Sequence, residues 1–257
     1  MDNTFSYNKY INNAPDDEIW KPFSESEKVH FQSLVMSVRV ALEEGDRHQK
    51  GLALESLMTY VYQRFDEIAV IHYNLTSGDN QIDHMIEFVD GLTPTFIHKN
   101  IGLRIIGESK NHKKAIGVRE VADLKELLRS KNSQMGIFSS YYSFSKKQNN
   151  LWHYAEGKRR KLALADKVFI IGFTLEELSQ LIDKNFYTLI KQKYNCLIDE
   201  TEDIMTEFLS EDQAVTYSDR LFCALKQLFT NEIINQDSFE VGVRQINEKY
   251  GQITYEY

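Results

Sequence analysis

Three observations along this 257-residue chain predict a mixed α/β fold. Apolar residues recur at helical spacing in two blocks before residue 67. Short β-branched runs bounded by turn formers come next. Those runs then alternate with further helical blocks, the order expected of a central mixed sheet flanked by helices.

Taken in order, residues 1–22 are polar and Asn-rich and read as an arm. Ser24 and Glu27 offer a capping box ahead of the apolar spacing of V-H-F-Q-S-L-V-M-S-V-R-V-A-L, and Gly45-Asp46 ends that helix. A second helix is predicted over 48–66, with Leu52, Leu54, Leu57, Met58, Val61 and Phe65 on one broad stripe. Strands follow over 68–74, 81–89 and 103–108, the first pair joined by the turn Ser77-Gly78-Asp79-Asn80. A helix fits Val118–Ser130, turning Val121, Leu124, Leu127 and Leu128 inward, and then a strand over 134–140. Residues 151–165 suit a helix and 167–173 a strand, after which Thr174 caps another helix. From about 186 onward the pattern is helical, and it is acidic around Asp199 to Asp212. The expected organisation is an N-terminal arm and helix (1–47), an α/β domain (48–184) and an acidic helical region (185–257).

The formal net charge is -8, which argues against a chain that coats nucleic acid by bulk charge. The cations are clustered, notably at Lys113 and Lys114 and at Lys158, Arg159, Arg160 and Lys161. No apolar run approaches the roughly 20 residues of a membrane span, and the N-terminus predicts no secretory leader. Cys196 and Cys223 lack metal-ligand spacing and are expected to be ordinary thiols of a cytoplasmic protein.

The stretch R-I-I-G-E-S-K (104–110) sets a carboxylate and an amine two positions apart at the end of an Ile-rich strand. Alternation puts Glu108 and Lys110 on one face if the strand runs that far. Antiparallel pairing with the preceding strand would bring Asp83 to the same edge. Two carboxylates and the main-chain carbonyl of Ser109 make a hard-oxygen site suited to Mg²⁺ or Mn²⁺. A lysine beside it can orient or deprotonate an attacking water and balance a phosphate's charge, so metal-assisted phosphodiester hydrolysis is the chemistry in view.

The arrangement of G-L-A-L-E-S-L (51–57), S-G-D-N-Q-I-D (77–83) and G-E-S-K-N (107–111) resembles the PD-(D/E)xK nuclease superfamily. It is most similar to the branch of methylation-dependent type IV restriction endonucleases. M-G-I-F-S-S (135–140) and I-I-G-F-T-L-E-E-L (170–178) are similar to that family's later strands and closing helix, so the likeness covers roughly 48–184. It implies a restriction-endonuclease-like core of order αβββαβ with helical additions at both ends. It also implies Asp83 and Glu108 as metal ligands, Lys110 as the catalytic lysine and Glu55 as an auxiliary acid. The implied activity is Mg²⁺-dependent endonucleolytic cleavage of DNA in restriction or other defence against foreign DNA. Glu stands here where Gln is frequent in that branch, and Ile rather than Pro precedes Asp83. No methyl-base recognition domain is seen, so that branch's substrate preference does not carry over.

Other readings of the same residues stay open. Glu108 and Lys110 also fit a solvent-exposed strand-end ion pair, and Glu55 fits a solvated helix face. A repair nuclease acting on branched DNA, or a non-catalytic assembly subunit on the same fold, would share most of these features. Lys113, Lys114, Lys158, Arg159 and Arg160 are candidates for backbone phosphate contacts. Tyr141, Tyr142 and Phe144 are candidates for base stacking, with packing as the plainer alternative. The acidic C-terminal region is a candidate for homodimerisation or for docking a partner subunit, since cutting both strands calls for two active sites.

Overall fold

The computed structural model describes residues 15–77, 80–145, 154–199, 222, 225–226, 229 and 234–250. The chain divides into two compact units, Met1–Asp203 and Ile204–Tyr257.

The first unit begins with a short helix α1 (Asp16–Ile19), followed by α2 (Glu25–Glu44) and α3 (Arg47–Tyr62). The capping box at Ser24 forms as expected: Glu27 accepts from the Ser24 main-chain N–H at 2.8 Å and from its hydroxyl at 2.7 Å. Asp46 caps α3 reciprocally: its carboxylate accepts from the Gln49 main-chain N–H at 2.8 Å, and its own N–H donates to the Gln49 side chain at 2.9 Å. The reading of 1–22 as an arm needs correction over its last residues. Ile19 and Trp20 are buried, as is the adjoining Phe23, and the Trp20 indole donates to the Val61 carbonyl at 2.9 Å. Residues 1–14 lie outside the described residues.

Five strands form one sheet in the order β1 (Ala69–Ser77), β2 (Asn80–Phe88), β3 (Arg104–Lys110), β4 (Met135–Ser140), β5 (Phe169–Thr174). The first three are antiparallel neighbours, and β3, β4 and β5 run parallel. The parallel crossovers are made by α4 (Val118–Ser130) and α5 (Ala155–Lys161), as parallel neighbours require. Gly78 and Asp79, the centre of the expected first turn, lie outside the described residues.

Helices cover both faces. α4 turns Val121, Leu124, Leu127 and Leu128 onto Ile106 and Phe138, matching the stripe its sequence predicts. Full burial of side chains of this size contributes roughly 1.5–3 kcal/mol each. α3 takes the other face, where the backbone at Gly107 comes so close that a Cβ there would stand 2.7 Å from the Tyr62 hydroxyl. Glycine at 107 is thus required by close approach, not by an unusual backbone angle. After β5 come α6 (Leu175–Ser179), capped by the Thr174 hydroxyl, and α7 (Phe186–Ile198). Phe186 of α7 is buried, with its ring centroid 4.8 Å from that of Phe173.

In the second unit α8 (Gln236–Tyr250) turns Phe239 and Val243 toward Phe222, and Phe229 stacks on Phe239 at 4.9 Å. Cys223 and the acidic stretch 200–212 lie outside the described residues, whereas Cys196 is buried. No described helix is long and apolar enough to cross a membrane.

Candidate active site

β3 runs two residues beyond its predicted end, to Lys110. Residues 106, 108 and 110 therefore share a face, with Ile106 packed into the α4 core. The Lys110 ammonium donates to Glu108 Oε1 at 2.6 Å. Their side chains are 31% and 18% exposed, so this is not the solvated surface pair of the plainer reading.

Paired residues of β2 and β3 run from Glu87–Arg104 to His84–Gly107. Just past that point, the Asp83 carboxylate takes a backbone hydrogen bond from the neighbouring strand. Its Oδ2 accepts from the Ser109 main-chain N–H at 2.7 Å. That bond fixes Asp83 beside Glu108, and both line one cavity of about 820 Å³.

Glu55 reaches the same cavity from α3, together with Arg47, His48 and Gly51. The helix is tied to the end of β3 by Asn111, whose side-chain amide donates to the Lys50 carbonyl at 2.9 Å. Asp83, Glu108, Ser109, Lys110 and Glu55 are thus gathered at one place from three elements. Sequence reasoning missed Arg47 and His48. A signal was present, because 48, 51, 52 and 55 recur at helical spacing on the face that carries Glu55.

The charges do not balance locally. Burial pushes the Glu108 carboxyl above the ordinary carboxylate range, and the neighbouring Asp83 adds to the shift while Lys110 opposes it. Burial also raises Asp83, against the pull of the Ser109 N–H and Lys110. Glu55 is raised by burial and then by Asp83. For Lys110, burial presses the ammonium down, but Glu108 and Asp83 outweigh it and the net direction is up. Asp83, Glu108 and Glu55 therefore crowd negative charge around Lys110, the ammonium paired with Glu108.

Such a donor set fits a hard divalent cation, since the oxygens are carboxylate and carbonyl and a dication relieves the negative excess. Among the described residues no three His, Cys, Asp or Glu side chains are grouped as a ready metal cage. A cation here would complete its sphere with water and substrate oxygens, as Mg²⁺ commonly does. Neither the scan of family models nor the search of curated proteins finds a match for this chain.

The remaining candidates scatter. Lys113 pairs with Glu43 at 2.6 Å on the surface, and Lys114 is exposed beside it. Arg159 is buried: its Nε donates to Glu156 at 2.7 Å and its guanidinium lies 4.8 Å from the centre of the Phe144 ring. Arg160 shares Glu156 at 2.8 Å, and Lys158 is half-buried. Lys158, Arg159 and Arg160 are not among the residues lining the site cavity, and Arg159 serves the fold. Phe144 is core, while Tyr142 is exposed. His112 lines the cavity and faces Glu120 at 3.0 Å. His84 is buried against the Thr59 hydroxyl, and burial pushes its pKa down to about 4.

The crowded carboxylates make a testable claim. Asp83→Asn keeps an acceptor for the Ser109 N–H and is expected to raise the melting temperature of the metal-free protein at neutral pH. A carboxyl raised on folding binds protons more tightly in the folded state, so its ionisation costs stability as pH rises through that window. The gain should shrink as pH falls through the raised pKa and be gone below the ordinary 3.8. Thermal melts in chelator across pH measure this, and a lower or unchanged melting temperature at neutral pH would count against it.

Proposed function

We propose that the chain is a Mg²⁺-dependent endonuclease that hydrolyses DNA phosphodiester bonds, with restriction or defence against foreign DNA as its setting. The observation that carries this reading is the Asp83 carboxylate, held by the Ser109 N–H beside the Glu108–Lys110 pair on one cavity. The element order supports a restriction-endonuclease-like core, with α3, three antiparallel strands, and then parallel β4 and β5 added through helical crossovers.

In this reading each residue has a distinct task. Asp83, Glu108 and the Ser109 carbonyl would hold Mg²⁺ or Mn²⁺, which when bound supplies Lewis-acid polarisation for in-line displacement at phosphorus. The Ser109 N–H keeps Asp83 from rotating away. Lys110 stays protonated in the resting site through Glu108 and Asp83, and offers positive charge to an entering phosphate. Glu55 sits where it can accept a proton at the cavity wall, its affinity for one raised by burial.

The test is cutting of supercoiled plasmid, branched DNA and single-stranded circles, each with Mg²⁺ and with chelator. Metal-dependent cutting of any of them supports the proposal, and the preferred substrate separates a restriction-type enzyme from a branch-directed one. Absence of cutting on all three, with the protein folded, favours the assembly-subunit reading.

A further inference from the structure

A second groove of about 440 Å³ opens between α2, α3 and β1. It shares Leu52, Glu55 and Asn74 with the site cavity, so the two meet along α3 and at Asn74, the β1 residue between the Tyr73–His84 and Leu75–Ile82 pairs. Tyr73 and Leu52 line it and are 59% and 52% exposed, which leaves an aromatic ring and an aliphatic side chain open beside a charged site. Behind them Tyr60 is held rigid, its ring parallel to that of buried Phe23 at 5.5 Å and edge-on to His30 at 4.9 Å.

The electrostatics of the two cavities differ. Arg47 and Lys110 line the site cavity, whereas no Lys or Arg lines the groove; each has histidine in its wall, and the groove's one carboxylate is Glu55. A phosphate there would meet the Glu55 carboxylate and neither lysine nor arginine. What the groove offers is a flat aromatic and aliphatic surface edged by neutral hydrogen-bonding groups such as Gln63 and Asn74. That chemistry suits a nucleobase, whose face stacks and whose edge makes hydrogen bonds. In a duplex both faces of a base are covered by its neighbours, so only an unpaired base can present one.

We infer that the cleft takes a single strand whose unpaired base, next to the phosphate at the Asp83–Glu108 site, lies on Tyr73 and Leu52. This rests on the nuclease reading and deepens it by naming the form of nucleic acid. It also accounts for a net charge of -8 in a protein that engages a polyanion. Stacking supplies roughly 1–3 kcal/mol per base in addition to whatever the phosphate contacts give.

The experiment is fluorescence anisotropy with a short labelled DNA strand and with its matching duplex, in chelator so that cutting does not interfere. The strand is expected to bind roughly tenfold tighter than the duplex. Tyr73→Ala should weaken strand binding roughly tenfold and leave duplex binding unchanged. Tyr73→Phe should bind the strand as the parent does, since it keeps the ring. Equal binding of strand and duplex, binding of neither, or a Tyr73→Ala variant that binds the strand like the parent would overturn the inference. The two readings fail separately. Glu108-dependent cutting of duplex without any effect of Tyr73 keeps the nuclease and removes the base site. Tyr73-dependent strand binding without cutting under any condition does the reverse.

Discussion

Glu108→Ala and Lys110→Ala are each expected to abolish DNA cutting in a chain that still folds, the second with some loss of stability because Glu108 and Asp83 lose their ammonium. Removing Glu108 deletes one of the two acids proposed to hold the cation. Lewis-acid stabilisation of the displacement is worth several kcal/mol, and each 1.4 kcal/mol is about tenfold, so a loss of roughly a thousandfold or more follows. Folding should survive because Glu108 stands among carboxylates that repel it. The stranded Lys110 keeps about a third of its side chain in solvent and retains Asp83 and Glu120 as attracting charges. Lys110→Arg is not expected to rescue, because a planar fork does not replace a compact ammonium packed against Glu108. Initial rates on the preferred substrate, with circular dichroism as the folding control, decide the matter. Either alanine variant cutting as fast as the parent would remove these residues from the mechanism.

The opposite behaviour is expected at Glu156. Glu156→Ala should leave the cutting chemistry of folded enzyme unchanged and cost about 3–5 kcal/mol of stability, the usual penalty for taking one partner from a buried ion pair. The side chains of Glu156 and Arg159 are 8% and 4% exposed, and the carboxylate also serves Arg160. For a unit of this size the loss corresponds to a melting temperature lower by roughly 10 °C. Burial pushes the Glu156 carboxyl up, but Arg159 and then Arg160 pull harder and the net direction is below the ordinary 4.5. A depressed acid contributes stability above its unfolded pKa and loses it as pH falls through the folded one. The gap between parent and variant should therefore be full at neutral pH and close in acid. Melts that coincide at neutral pH would show that Arg159 finds its main support elsewhere.

These two positions show what could be read from the sequence. The E-x-K strand was legible because a period of two is local: Ile106, Glu108 and Lys110 must share a face wherever the sheet lies. α4 was legible to the residue, since its apolar positions follow one stripe between a polar first turn and a polar end. The meeting of Asp83 with Ser109 was legible only conditionally, because it depends on where two strands part. Trp20 was misplaced because its partner is the Val61 carbonyl, 41 residues away, and a few apolar residues in a polar stretch carry no period. The K-R-R-K run looked like a phosphate-binding surface. Glu156, three and four positions before Arg159 and Arg160, was the signal that these cations are spoken for. The extent of the groove beside Tyr73 depends on helix-to-sheet placement that no local pattern encodes.

The segment just past Lys110 also works as a brace. Asn111 fastens to the Lys50 carbonyl and Lys113 to Glu43, so the loop leaving β3 clasps the joint between α2 and α3 from both sides. A change in the length of that loop would alter the gap between the acid pair and Glu55 even with every side chain of the proposed site preserved. Activity in this protein should thus be more sensitive to the number of residues between Lys110 and Ile116 than to the identity of most of them.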